Sequence, residues 1–102
     1  MIGNVTSYRT RMVEIIQFLP LIEKAARDER NFVKKAVNWA LRAIGRRNLA
    51  LNAAALTVAE RLALSEEAAC RWVGKDALRE LASPKVRAQL ARRAQVDRAT
   101  TR

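Results

Sequence analysis

The chain has 102 residues, half of them apolar, and its 20 Lys and Arg against 10 Asp and Glu give a formal charge of +10. That length fits one domain with a modest core, and that charge makes polyanions the natural partners. With no His and a single Cys, Cys70, the chain cannot assemble a zinc site of the usual kind, a His-dependent triad or an internal disulfide.

No cofactor or metal is therefore expected. Gly3, Gly45 and Gly74 are too scattered to form a phosphate-cradling loop. The apolar stretch from Ile15 to Ile22 is broken by Gln17 and Pro20, too short for a signal sequence or a membrane span. This points to a cytoplasmic, nucleoid-associated protein with no membrane partner. An Ala- and Leu-rich composition with few aromatics, Gly and Pro favours helix over sheet.

Along the chain, Met1 to Arg11 shows no pattern and reads as a weakly ordered lead-in. Met12 to Ala26 is a mostly apolar helical stretch in which Pro20 either kinks the helix or opens a second one. Asp28 and Glu29 place negative charge ahead of a helix over Asn31 to Arg46. Gly45 to Asn48, with Arg42, Arg46 and Arg47 nearby, ends that helix. Leu49 to Leu64 is an Ala-rich helix suited to close helix packing. Ser65 reads as an N-cap, with Glu66 and Glu67 in the first turn of a helix reaching Ala82. Ser83 and Pro84 repeat the signal for a short helix to Arg93, and Ala94 to Arg102, without apolar periodicity, should fray. The expected domain is thus 12–93, between a lead-in (1–11) and a basic tail (94–102).

There is an internal echo: Trp39-Ala40-Leu41-Arg42-Ala43-Ile44 and Asp76-Ala77-Leu78-Arg79-Glu80-Leu81 share Ala, Leu, Arg and an aliphatic residue at an offset of 37. The offset is close to, though shorter than, the roughly 40–47-residue period of HEAT and armadillo arrays. Both copies fall on the second helix of a hairpin, where a solenoid puts equivalent residues. The expected fold is all-α: a short HEAT-like solenoid of about two hairpins plus a C-terminal cap helix.

On a helical wheel, Phe32, Val33, Ala36, Val37, Ala40, Leu41 and Ile44 fill an arc of about 180°, the expected core face. Lys35, Trp39, Arg42 and Arg46, spaced i, i+4, i+7 and i+11, form a stripe just outside it. From Arg30 through Ala59 there is no carboxylate, so local ion pairs do not explain the stripe. Cations on an outer face are usually just solvated; here the sidedness and net charge favour nucleic acid. Trp39 has two readings, a ligand-facing indole and a core-edge aromatic packed on the neighbouring hairpin. Trp72, with Lys75 and Arg79 on its side, reads as packing more than function. Asp76 and Glu80 read as surface ion-pairing residues, with Arg79 within reach of Asp76 at i+3 and Arg71, Lys75 and Lys85 as looser neighbours, and Cys70 as a buried, inert thiol beside Val73 and Ala77.

The segment Asp28-Glu29-Arg30-Asn31-Phe32-Val33-Lys34-Lys35-Ala36-Val37-Asn38-Trp39-Ala40-Leu41-Arg42-Ala43-Ile44-Gly45-Arg46-Arg47-Asn48 resembles the C-terminal repeat region of the AlkD-type DNA alkylation repair proteins, alkylpurine DNA glycosylases built from HEAT-like repeats. The motif is F-[VI]-x-K-A-[VI]-x-W-x-L-R, and the resemblance runs loosely over 18–90, leaving Met1 to Gln17 outside it. It implies a concave basic surface that cradles duplex DNA, a Trp at position 39 beside the damaged nucleotide, and a catalytic Asp and companion Trp in repeats N-terminal to this segment. No carboxylate here matches that Asp, so no catalytic residue is assigned.

Lys35, Trp39, Arg42, Arg46 and Arg47 are the expected DNA contacts. The alternatives are a non-catalytic helical scaffold for RNA or an acidic protein, and an inactive truncated gene product. Self-association, or partnership with missing N-terminal repeats, is expected of so short an array.

Overall fold

A computed structural model describes residues 2–100, with the side chains of 12–96. Five helices follow one another: α1 (Ile2–Ala25), α2 (Asn31–Gly45), α3 (Leu49–Ala63), α4 (Ala68–Leu81) and α5 (Pro84–Thr100). Among the described residues there is no strand, and no helix is long and apolar enough to cross a membrane. Contacts between Met12 and Asn48 and between Glu23 and Arg61, 36 and 38 residues apart, lay α1 alongside α3 in the same direction. Asn38 with Val73 and Arg46 with Glu80, 35 and 34 apart, do the same for α2 and α4. The echo at 37 is therefore a structural period. The chain is an all-α, HEAT-like stack of two hairpins, α1–α2 and α3–α4, closed by α5.

The tightest seam is inside the second hairpin. A Cβ built on Gly74 of α4 would lie 2.3 Å from the Ala63 amide nitrogen and 2.7 Å from the Ala59 carbonyl oxygen. Only a glycine lets the two backbones meet there, opposite the Ala-rich face of α3. Around this seam Leu41, Leu51, Val73 and Leu81 are wholly buried, each worth about 1.5–3 kcal/mol of burial. Asn52, also buried, donates from Nδ2 to the carbonyls of Gly45 (3.0 Å) and Leu81 (3.2 Å). These belong to the last residues of α2 and α4, so one amide satisfies a carbonyl at each of two helix ends.

Several local expectations change. Pro20 lies inside α1 and opens no second helix. Asn48 caps α3, its Oδ1 accepting from Leu51 N–H at 2.8 Å. Ser65 is not the N-cap of α4: its hydroxyl accepts from Glu67 N–H, two residues on, and the helix starts at Ala68 with no side-chain cap. Arg71 reaches back instead, donating to the carbonyls of Ser65 and Glu66. Asp28 bonds to Arg30 in the loop before α2 and caps no helix. Ser83 Oγ does accept from Val86 N–H, with Pro84 first in α5.

Helix α5 continues past Arg93 because Ala91, Arg92, Arg93, Ala94 and Gln95 are good helix formers that need no apolar stripe. Helix α1 likewise includes most of 1–11; Met1, Thr101 and Arg102, and the side chains of 1–11 and 97–102, lie outside the described residues.

The core arc of α2 is narrower than the wheel implies. Val37 and Leu41 are buried, but Phe32 is 69% exposed, with the Arg30 guanidinium 5.4 Å from its ring centroid, and Ala36 is exposed. Between α1 and α2 runs an open apolar groove of about 520 Å³, lined by Phe18, Leu21, Ala36, Ala40 and Ile44 among others, with Arg47 at its edge. The apolar flank of α2 is only partly covered by α1.

The two glycines of the hairpins make a paired prediction. A Cβ on Gly45 would meet only the Leu81 side chain, at 2.5 Å, whereas on Gly74 it meets backbone. Alanine gains about 1 kcal/mol of helix propensity at either site, but backbone atoms cannot move aside. Gly74→Ala should destabilise by about 1–3 kcal/mol or more and Gly45→Ala by less, measured by urea unfolding followed by circular dichroism.

Candidate nucleic-acid interface

Because α2 and α4 run in parallel, the side chains along their seam meet in register. The Lys34 ammonium lies 5.4 Å from the Trp72 ring centroid. Next, buried Asn38 donates to the Val73 carbonyl at 3.4 Å and accepts from Arg42 Nη1 at 3.4 Å. Arg42 also places Nη1 3.8 Å from Asp76 Oδ2 and Nη2 3.7 Å from Glu80 Oε2. Arg46 donates from Nη2 to Glu80 Oε1.

The α2 stripe is thus not free of acidic partners. The carboxylates missing between Arg30 and Ala59 come from α4, one structural period later. Asp76 keeps a contact with Arg79 at 4.0 Å, but Glu80 is taken by Arg42 and Arg46. With several ligands and a buried Nε that has no partner, Arg42 is clamped between helices. Asn38, which no motif singled out, holds the clamp; its only signal was a polar side chain on the inward side of an apolar helix.

Of the five expected contacts, Lys35, Trp39, Arg42 and Arg46 share the stripe, with Lys35 exposed and, among the described residues, without an acidic partner. Arg47, in the turn after α2, lies instead at the edge of the α1–α2 groove. Trp39 is 75% exposed, which removes the core-edge reading. Trp72 is partly exposed, and its neighbouring cation is Lys34, one period back, not Lys75 or Arg79. Cys70 is buried, with Sγ 3.9 Å from a Glu67 carboxylate oxygen.

Arginines set the ionisation of the paired acids. Glu80 is held below the usual carboxylate range, first by the hydrogen bond from Arg46, against a smaller desolvation effect, and then by the charges of Arg46 and Arg42. Glu23 is lowered chiefly by its hydrogen bonds from Arg61, at 2.7 and 2.9 Å. Asp28 is lowered to about 2, mainly by the Arg30 side chain and then by the Arg30 amide. Among the described residues no three His, Cys, Asp or Glu side chains gather into a metal site.

The sequence model of the DNA alkylation repair enzyme family matches residues 4–81. The chain belongs to this family. The match covers α1 almost from its start and runs through α4. It therefore takes in 4–17, which the motif-based resemblance left out, and stops short of residue 90, before α5. No curated protein and no solved structure matches the chain.

The Glu80 pairing gives a pH signature. A carboxylate with a depressed folded-state pKa contributes stability fully above its unfolded value, near 4.5, and loses that contribution as pH falls through the folded value. Glu80→Gln should therefore lower stability at pH 7, by less than about 1 kcal/mol for so solvated a pair, and have a smaller effect at pH 3. Urea titrations of both proteins at the two pH values measure the difference.

Proposed function

We propose that the α2–α4 face binds the backbone of duplex DNA in the service of alkylation repair, with Trp39 at the centre of the contact. One observation carries the reading: a large indole stands 75% exposed on a helix whose same stripe bears Lys35, Arg42 and Arg46. Family membership supplies the class of polyanion. An exposed indole offers a cationic, alkylated nucleotide about 0.5–2 kcal/mol of cation–π attraction, depending on desolvation.

Binding through this face competes with internal pairing. Lys35 is ready to meet a phosphate, but Arg42 and Arg46 must share their donors between Glu80 and DNA. Neutralised phosphates set the salt dependence, with log affinity falling at roughly 0.9 per phosphate. Glu80→Gln should tighten duplex binding and steepen its salt slope, whereas Trp39→Ala should weaken binding with the slope unchanged. Fluorescence anisotropy on a short duplex across a salt series reads both. Unchanged affinity in both variants, with binding reduced by any charge reversal wherever placed, would leave only diffuse attraction between a basic chain and DNA.

The same face is proposed to bind without excising. Glycosidic cleavage passes through an oxocarbenium-like state that a positioned carboxylate stabilises. Here Asp76 and Glu80 already lie against arginines. A cation–π contact of roughly 1–2 kcal/mol gives about a five- to thirtyfold effect, far below enzymatic acceleration. The purified chain should release no 7-methylguanine from methylated duplex under multiple-turnover conditions; robust release abolished by Trp39→Ala would overturn this.

A further inference from the structure

We infer that α5 is a second phosphate-binding element, carrying the DNA track on past the C-terminal end of α2; the inference rests on the duplex-binding reading above. Two observations place α5 there. Arg93 Nη1 donates to the carbonyls of Arg46 (3.1 Å) and Arg47 (3.2 Å), so its guanidinium closes the C-terminus of α2 and ties α5 to it. That bond suits the negative end of the helix dipole. It also brings Arg93 to the end of α2 beside Arg46, whose side chain Glu80 engages.

The second observation is what α5 leaves unpaired. Val86 and Leu90 are its buried apolar anchors, while Lys85, Arg87, Gln89 and Arg92 are all exposed. Lys85, Gln89 and Arg92, at i, i+4 and i+7, fall on one flank beside Arg93. Among the described residues neither Lys85 nor Arg92 has an acidic partner, and Asp97 is the only carboxylate in the α5 sequence.

The contrast with α2 gives the inference its content. Arg42 and Arg46 must give up Glu80 or Asp76 to reach a phosphate; Lys85 and Arg92 give up only water. Arg93 adds a cation beside Arg46 at the end of α2, and a phosphodiester running on to Lys85 and Arg92 would meet unpaired charge there while releasing its own counterions. Lys85 and Arg92 are about 10 Å apart along the helix, so they meet different phosphates.

The test uses the full chain and a 20-base-pair duplex, with anisotropy titrations over a salt series. Lys85→Gln/Arg92→Gln should weaken binding about tenfold and reduce the magnitude of the salt slope by about two. The control, Lys24→Gln/Arg27→Gln, removes the same charge at the opposite end of the hairpins and should change affinity by less than threefold. Circular dichroism should show both variants folded, since all four side chains are exposed. Equal losses in the two double variants overturn the inference. If Lys35→Gln and Trp39→Ala weaken binding while the α5 variant does not, α5 fails and the α2–α4 reading stands. If the unaltered chain does not bind the duplex, both fall.

Discussion

The close approach of α3 and α4 at Gly74 is the constraint on which the arrangement depends. With no side chain at that point, α4 lies against the α3 backbone, with Cβ-equivalent distances under 3 Å to three backbone atoms. This depth sets the register of α4 against α2. Asn38 then finds the Val73 carbonyl, next to Gly74, and Arg42 finds Asp76 and Glu80 at the following turns. At the far end Asn52 ties the last residues of α2 and α4 together. A longer residue at 74 would push α4 outward and loosen each of these contacts, so helix packing and the geometry of the basic face are one problem.

Net charge and available charge are different quantities in this molecule. The formal charge is +10, but the acids are not spread evenly among the cations. Glu23 holds Arg61, Asp28 holds Arg30, Glu67 approaches Arg27, and Asp76 and Glu80 take the arginines of α2. Exposed pairs of this sort contribute little stability. Their larger effect is to decide which cations remain for a polyanion. The stripe that stands out on a wheel is partly neutralised, whereas Lys35, Lys85 and Arg92 have no acidic partner among the described residues.

The fold was legible because its signals are local or periodic. Apolar spacing and helix-ending residues marked α2 and α3, and the Ala-Leu-Arg echo marked the repeat. Two classes of signal were hidden. One is side chain to backbone bonding: Ser65 looks like a cap in sequence, yet turns back on Glu67 before the helix begins. The other is pairing across the period. A wheel drawn for one helix contains no residue 34 to 38 positions away, so on it Arg42 and Arg46 have no acidic partner and Trp72 has only the neighbours of its own helix. Overlaying α4 on α2 at the 37-residue offset would have brought Glu80 up to Arg42 and Arg46. For the candidate site, residue types were legible and electrostatic state was not.

Helix α2 separates two surfaces of unlike chemistry, and this governs how its exposed aromatics are to be understood. On one flank Ala36, Ala40, Ala43 and Ile44 line the groove beneath Phe18 and Leu21, with Arg47 the one cation among the described residues of its lining. An apolar lining of that kind gains free energy by losing water and offers a phosphate nothing. Trp39 stands at the border of the other flank, with Ala36 and Ala43 of the groove lining at i−3 and i+4 on one side of it and Lys35 and Arg42 at i−4 and i+3 on the other. Phe18 and Leu21 are exposed for lack of cover over the groove, so an apolar partner could bury them. Trp39 is exposed on a charged face, where burying the indole also brings the partner against Lys35, Arg42 and Arg46. Under the duplex-binding proposal, the phosphodiester backbone would meet the guanidinium and ammonium groups at the edges of that flank and an alkylated base would meet the indole at its centre.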